Sequence, residues 1–464
     1  MKLYFPRLYS IAWACLVTTV SCCLLLPSVH AQVAAYTSPP MQPLKHMEEQ
    51  LEANYKAFLD QLPNDNKKAY LSVYNEQWES IKAKFDKREI YKTAYAQAYL
   101  DKLTKTIIDA NPVLKSRPLQ VCFSRSGVPN ASYIGQGVIL FNMGLFKSLD
   151  NESQVAFVLC HELAHYYLQH SEQSISRYVA TMNGKEVQQE LRKIKATEYN
   201  KRERLENLVQ HVSFDSRRHS RDHESEADSM GLVFLQHTRF SLQGALTTLD
   251  LLDKIDVDTV DMSAQLQHLF NAPAYPFKKR WIAQREGLLG GHAVLEKDTA
   301  LSDSLKTHPD CKLRMRLLQP YVNADHQANR QLNGLDKMAF DSLKKSFGYE
   351  TIIYAFENDN YTRSLYYTIG MLRDTPDDPF LVTHMGKVLN SCYDAQKSHT
   401  LGKLIELPSP GNGTNYNVLL QMIQNLYLED FPGISFYYLA PFYRRLQAYD
   451  PFVKEFNRAK QTNQ

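Results

Sequence analysis

The sequence carries little net charge, which limits the partners that it can be expected to bind. Its 53 Lys and Arg residues nearly balance its 50 Asp and Glu residues, and the formal net charge is +3. Proteins that bind nucleic acid usually have a clear excess of basic residues, because phosphate contacts supply much of the affinity. We therefore expect no nucleic-acid partner. Hydrophobic residues make up 44% and charged residues 22%, as in an ordinary globular protein of two or three domains.

Cysteine is also scarce, and three of the seven cysteines lie in the first 31 residues. Residues 1–31 read as a signal peptide, with Lys2 and Arg7 before an apolar stretch and a small-residue cleavage site that ends at Ala31. Removal of this leader lowers the net charge from +3 to +1. The leader predicts an exported protein, with the periplasm as the expected compartment. The remaining cysteines permit disulfides of unknown pairing but form no disulfide scaffold: Cys122, Cys160, Cys311 and Cys392.

Two alternatives to cleavage of the leader stay open. A retained membrane anchor would need about 20 apolar residues, whereas the apolar stretch 11–26 is shorter than that. Lipid attachment at Cys22 or Cys23 is a weaker alternative, because Thr19 is a poor residue at that distance before a lipidated cysteine.

The segment His161-Glu162-Leu163-Ala164-His165 is the strongest indication of chemistry in the chain. On an α-helix, residues four positions apart project from one face, about 40° apart at roughly 100° per residue. The two imidazoles are thus placed to bind one zinc ion, and Glu162 lies beside them as a candidate general base. Two buried core histidines are the simpler alternative, but burial alone explains neither the glutamate nor the spacing.

The motif lies on a predicted helix from residue 152 to residue 170. We expect Asn151 to cap this helix, with Gln154 as its reciprocal partner in a capping box. His170 lies nine residues after His161, about 180° around a continuous helix. It is therefore not expected to be a third ligand.

A catalytic zinc site commonly has three protein ligands and one open position, so one more ligand is required. The best candidates lie in Glu224-Ser225-Glu226-Ala227-Asp228. On a helix Glu224 and Asp228 share a face, whereas Glu226 points about 200° away from Glu224. We expect Glu224 to bind the metal, Asp228 to accept the free ring N–H of a ligating histidine, and Glu226 to be solvated. An acidic helix start, stabilised by the helix dipole, is the alternative.

Together these two motifs resemble family 48 of the metallopeptidases, the gluzincins that include HtpX, the Oma proteases and the CAAX prenyl endopeptidases. Residues 129–131 and 135–145 are similar to the edge strand and turn that precede the metal helix in that family. Thr307-His308-Pro309, with Arg314 beyond, is similar to its Thr-His-Pro segment. The resemblance covers about residues 60–320. Because the chain has a leader and no further obvious membrane spans, it looks most like the soluble, BepA-like envelope branch of the family.

The resemblance and the residue pattern predict a mainly α protein with a small sheet (α+β). Strands are expected at 119–123 and 133–141. A linker at 32–46 should precede a zincin-type (gluzincin) catalytic domain at 47–335. Residues 336–464 are expected to form a helical region that resembles degenerate tetratricopeptide repeats, with an ordinary helical cap on the catalytic domain as the alternative.

The resemblance implies a zinc-dependent endopeptidase of the cell envelope, with one zinc ion as the expected cofactor. It implies unfolded or misassembled envelope polypeptides as substrates, with the C-terminal helices contacting them, the envelope assembly machinery or the membrane surface. His308 is expected either as a fourth ligand that closes the site or as an oxyanion stabiliser, and a plain surface histidine is the alternative. The rival function is a chaperone-like assembly factor with a latent, plugged zinc site, but an intact Glu162 favours the enzyme.

Overall fold

The computed structural model of the chain describes residues 34–115, 118–197, 201–255, 260–284, 310–325 and 330–464. Within these ranges the protein is mainly α-helical with one four-stranded sheet, which confirms the predicted fold class. The helices of the N-terminal and catalytic parts are α1 Lys45–Asp60, α2 Lys67–Asp86, α3 Ala94–Ala110, α4 Met143–Ser148, α5 Glu152–Tyr167, α6 His170–Asn183, α7 Lys185–Ala196, α8 Lys201–Gln236, α9 Gln243–Lys254, α10 Met262–Phe270 and α11 Cys311–Asn323. The helices of the C-terminal part are α12 Lys337–Glu357, α13 Tyr361–Asp374, α14 Pro379–Lys397, α15 Thr414–Asn425, α16 Asp430–Leu439, α17 Tyr443–Leu446 and α18 Asp450–Thr462.

The sheet contains the strands β1 Ile90–Tyr91, β2 Gln120–Ser124, β3 Ala131–Tyr133 and β4 Val138–Asn142. Their order is β1-β2-β4-β3, with β2 and β4 parallel and the other two pairs antiparallel. β3 therefore lies at an edge of the sheet.

The prediction of one strand over 133–141 was wrong, because a tight turn divides that segment. Three successive residues have positive φ angles: Gly135 (94°), Gln136 (54°) and Gly137 (74°). Glycine adopts such angles at little steric cost, and two glycines in three positions let the chain reverse here. The reversal makes β3 and β4 a hairpin and moves β3 to the edge of the sheet.

Helix α5 begins where the sequence predicts. The Asn151 side chain accepts the backbone N–H of Gln154 at 3.1 Å, and the Gln154 side chain accepts the N–H of Asp150 at 2.6 Å. The Glu152 carboxylate is fully buried and accepts the backbone N–H groups of residues 335–336. The start of the helix is thus fixed both by its own cap and by the segment that leads into α12.

The end of α5 differs from the prediction. The helix stops at Tyr167 instead of continuing to residue 170, and Gln169 has a left-handed backbone conformation with φ 59°. His170 is consequently the first residue of α6. The side chain of His170 therefore does not follow the helical phase of α5.

Three clusters of buried hydrophobic side chains hold the fold together. One joins the α1–α2 hairpin to the sheet and includes the stacked rings of Tyr55 and Trp78. The largest surrounds α5 and the sheet, and the third fills the C-terminal helices. α12 belongs to two of them, because Phe347 packs in the catalytic cluster and Ile352 in the C-terminal one. The C-terminal helices are therefore packed against the catalytic part through α12.

Tyr36 and Ser38, in the segment predicted to be a linker, lie against α12. Tyr36 stacks on Tyr349 with ring centroids 4.4 Å apart and donates a hydrogen bond to the buried Glu350 at 2.7 Å. Arg125 reaches the same carboxylate at 3.2 Å.

Among the residues that the structure describes, no helix is both long enough and apolar enough to cross a bilayer.

The contact between α5 and α8 depends on a position without a side chain. A Cβ atom added at Gly231 would lie 3.0 Å from both the Cα and the backbone N of His161. Ala227, one turn earlier on α8, is also small and fully buried. These two residues let the backbone of α8 approach the motif on α5 closely.

We expect Gly231→Ala to lower the free energy of unfolding by about 1–3 kcal/mol, because the overpacked contact outweighs the better helix propensity of alanine. Gly370→Ala is the matched control, since Gly370 is an exposed residue of α13 with no atom near its added Cβ. That control should be neutral or more stable by up to about 1 kcal/mol. Urea unfolding of both variants provides the measurement, and equal stabilities would show that α8 does not need a glycine at position 231.

Candidate metal centre

Three side chains from two helices converge on one point. His161 and His165 lie on α5, with their Nε2 atoms 3.1 Å apart. Glu224 lies on α8, with Oε1 3.3 Å from Nε2 of His165 and Oε2 3.6 Å from Nε2 of His161. The structure thus brings together the three residues that the sequence suggests as ligands, and they form a group able to hold a metal ion.

The donor atoms fit zinc in both chemistry and spacing. Two imidazole nitrogens and one carboxylate are a ligand set found in catalytic zinc sites. Bonds of about 2.0–2.1 Å at tetrahedral angles would separate neighbouring ligand atoms by about 3.3 Å. The three separations here are 3.1, 3.3 and 3.6 Å. The site can therefore accept a zinc ion with little rearrangement of its side chains.

The position of His161 is fixed by Asp228, one turn after Glu224 on α8. Nδ1 of His161 lies 3.0 Å from Oδ1 of Asp228. A ligand histidine needs its proton on the nitrogen that does not bind the metal, and a carboxylate at Nδ1 favours that tautomer. The role expected for Asp228 from the sequence agrees with this geometry.

Arg314 on α11 contacts the carboxylates of both Asp228 and Glu224, a role that the sequence alone does not indicate. It donates to Asp228 through Nε at 2.6 Å and through Nη2 at 2.7 Å, and its Nη1 lies 3.0 Å from Glu224. The guanidinium is buried with only 3% of the residue exposed. Asp228 lies 86 residues before Arg314, so no local pattern could indicate the pair.

Burial and charge act in opposite directions on this pair. Burial alone would raise the pKa of Asp228, but hydrogen bonds from Arg314 and His161 hold that pKa below its ordinary value. Burial would likewise lower the pKa of Arg314, but Asp228 and Glu224 raise it above its ordinary value. Asp228 and Arg314 are thus an ionised pair, and the Glu224 carboxylate adds a negative charge that attracts a cation.

Glu162, the candidate general base, lies between the metal site and the edge strand. Its Oε2 accepts the backbone N–H of Tyr133 on β3 at 2.7 Å, and only 3% of the residue is exposed. A small pocket adjoins Glu162 and His161, with an internal volume of about 10 Å³, enough for roughly one water molecule. Apolar side chains form much of its wall: Leu145, Phe157, Val158, Leu249 and Leu252.

His170 lies beside the metal site, although it was assigned to the opposite face of a continuous helix. Its Nδ1 is 2.9 Å from Nδ1 of His165, and its Nε2 is 3.1 Å from Oε2 of Glu226. Burial, together with nearby His165 and His223, lowers the pKa of His170 to about 3. Glu226 does face solvent as expected, with 60% of its side chain exposed, but it also contacts His170. Neither contact could be read from helical spacing, because both depend on the break after α5.

His308 and the four cysteines after the leader are the remaining residues that the sequence analysis singles out. His308 lies outside the described residues. The four cysteines after the leader are buried and form no disulfide bond with one another: Cys122, Cys160, Cys311 and Cys392. Burial raises the pKa of the Cys160 thiol, so this neighbour of His161 is a packing residue instead of a nucleophile.

We expect Arg314→Leu to destabilise the protein by about 3–5 kcal/mol, because it leaves the buried charge of Asp228 without its partner. Arg445→Leu is a suitable control, since Arg445 forms an exposed pair with Asp377 and should contribute less than about 1 kcal/mol. Thermal and urea unfolding of the two variants provide the comparison. A loss at position 314 no larger than that at position 445 would contradict the role given to Arg314.

Comparison with known proteins identifies the family that the catalytic region matches. A search of curated proteins finds no match to this chain. The sequence profile of peptidase family M48 matches residues 94–322, a region that contains both ligand motifs, Glu162 and Arg314. This match confirms the family that the motifs suggest, whose members are zinc-dependent metallopeptidases, while the branch within the family stays a prediction. Through residues 94–322, the chain therefore carries a domain of peptidase family M48.

Proposed function

We propose that this protein is a zinc-dependent endopeptidase of the cell envelope that cleaves unfolded or misassembled polypeptides. The observation that supports the proposal best is the convergence of His161, His165 and Glu224 beside Glu162. A structural zinc site uses four protein ligands and has no need of a base, whereas the described residues offer a group of three donors with a neighbouring carboxylate.

The residues of the chain have distinct tasks in this reaction. His161, His165 and Glu224 would hold a zinc ion, which would lower the pKa of water and polarise the scissile carbonyl. Glu162 accepts a proton from the attacking water as the new C–O bond forms. It then delivers this proton to the leaving amine as the C–N bond breaks. The N–H of Tyr133 holds the Glu162 carboxylate in position beside the site.

The edge strand supports unfolded polypeptides as the substrate class. β3 ends one side of the sheet and carries Tyr133, whose N–H contacts the proposed base. An extended polypeptide can add to such an edge through main-chain hydrogen bonds, with little demand on its side chains. Unfolded segments offer a free extended backbone, whereas folded domains do not. We propose that the C-terminal helices, packed through α12, contact the same substrates or the assembly machinery.

The envelope location rests on the leader at 1–31, which lies outside the described residues. The BepA-like branch of the family, which the leader suggests, is part of the same proposal.

An assembly factor with a latent zinc site is the second candidate. The small volume of the pocket beside Glu162, about 10 Å³, favours it, because a substrate side chain would need more space. Incubation of the purified protein with an unfolded polypeptide distinguishes the two functions. Cleavage that stops with a chelator and returns with zinc supports the peptidase. Suppressed aggregation of that polypeptide without cleavage, in a protein that retains zinc, supports the assembly factor.

We expect Glu162→Gln to abolish cleavage while the protein keeps one zinc ion per chain, because the change removes the base but no ligand. Glu190→Gln on α7, outside the metal centre, should cleave as the unchanged protein does. Peptide turnover and metal content are measured on the same samples. Turnover within a few fold of the unchanged protein would rule out Glu162 as the base.

We expect Glu224→Ala to lose zinc during purification, whereas Glu226→Ala should still carry one ion per chain. The reason is that Glu224 faces both proposed ligand histidines, while Glu226 contacts His170, which is not one of the three. Metal analysis of the purified variants tests the difference. The reverse order would mean that the wrong face of α8 has been assigned to the metal.

A further inference from the structure

His165, His170 and Glu226 form a row that leads away from the metal site. Nδ1 of His165 lies 2.9 Å from Nδ1 of His170, and Nε2 of His170 lies 3.1 Å from Oε2 of Glu226. Both separations are hydrogen-bond distances. His170 is buried, with 3% of the residue exposed, whereas Glu226 reaches solvent.

The chemistry of the row leaves one consistent arrangement of protons. His165 directs Nε2 at the metal site, so its proton belongs on Nδ1. That proton can be donated to His170 only if Nδ1 of His170 carries a free lone pair. His170 then keeps its own proton on Nε2 and donates it to the Glu226 carboxylate. Both short contacts are therefore satisfied by two neutral imidazoles and one carboxylate.

The ring of His170 is also held from its face. It stacks on the ring of His223, with centroids 4.1 Å apart and planes 4° from parallel. His223 directly precedes Glu224 on α8, and the left-handed Gln169 sets the start of α6. The ring is thus fixed by the turn before it, by the carboxylate and by the stacked imidazole, so that it has little rotational freedom.

We propose that His170, oriented by Glu226, is a positioning residue that fixes the ring orientation and the Nδ1–H tautomer of His165. It does for His165 what Asp228 does for His161. This inference rests on the proposed zinc peptidase function, since it assigns a task at the same site. A partner of this kind raises the metal affinity by preorganising the ligand, and its loss typically costs about 10–100-fold.

Two substitutions of nearly equal shape test the proposal. His170→Leu removes the acceptor that faces His165, whereas His170→Asn puts an amide oxygen close to the position of the Nδ1 lone pair. We expect His170→Leu to weaken zinc affinity about 10–100-fold. His170→Asn should recover most of that loss, and Glu226→Ala should give an intermediate loss, because it removes only the second contact.

The measurements use the full mature chain. Zinc affinity is determined by competition with a chromophoric chelator, and the absorption spectrum of the cobalt-substituted protein reports the ligand geometry. The leucine variant should change the cobalt spectrum, and the asparagine variant should restore it. His237→Leu is the matched control, because Nδ1 of His237 bonds to Asn111 and not to a ligand residue. It should leave zinc affinity unchanged.

Unfolding of the metal-free variants separates positioning from packing. A lower zinc affinity of the leucine variant, with metal-free stabilities of the leucine and asparagine variants alike, supports the proposal. Equal zinc affinity of those two variants would overturn it, whether both match the unchanged protein or both fall below it. The proposed peptidase function is tested independently: it is wrong if the unchanged protein binds zinc but cleaves no unfolded polypeptide. In that case the comparison of zinc affinities still decides the role of His170.

Discussion

The close approach of α5 and α8 is the constraint on which the metal centre depends. Two of the proposed ligands lie on α5 and the third on α8, so the distance between the helices sets the size of the triangle of donor atoms. Gly231 and Ala227 allow the approach because neither carries a side chain that would separate the helices. The same contact places Asp228 opposite His161. A change in packing at Gly231 would therefore affect metal binding without touching a ligand.

The charges of the centre explain why a third helix takes part. Glu224 and Asp228 are buried carboxylates on one face of α8, and burial of two such charges side by side is costly. Arg314 offsets that cost through three contacts, two with Asp228 and one with Glu224. A buried pair of this kind contributes little net stability relative to an apolar contact, but it specifies one arrangement of the side chains. The orientation of Asp228 thus depends on α11, far along the chain.

Sequence reasoning reaches furthest where a feature depends on local periodicity. The spacing of His161 and His165, and the choice of Glu224 over Glu226, follow from the helical repeat, and the structure brings the chosen side chains together. It failed where a single residue changes the backbone direction. A left-handed conformation at a residue such as Gln169 is uncommon outside glycine and asparagine, so no signal indicated the break that returns His170 to the site. Partners distant in sequence, such as Arg314, also lie beyond local pattern.

The two histidines proposed as ligands have partners of different charge, and this difference bears on the reactivity of the centre. His161 faces the carboxylate of Asp228, whereas His165 faces the neutral imidazole of His170 in the proton arrangement inferred above. An anionic partner makes an imidazole a stronger electron donor, and a neutral partner does so less. Two carboxylate partners would add more negative charge and leave a bound cation less electrophilic. In this centre one partner is the carboxylate of Asp228, which Arg314 compensates, and the other is a neutral imidazole. The two partners orient both rings, and they neutralise less of the cation's charge than two carboxylates would. A centre that must polarise a peptide carbonyl benefits from that balance.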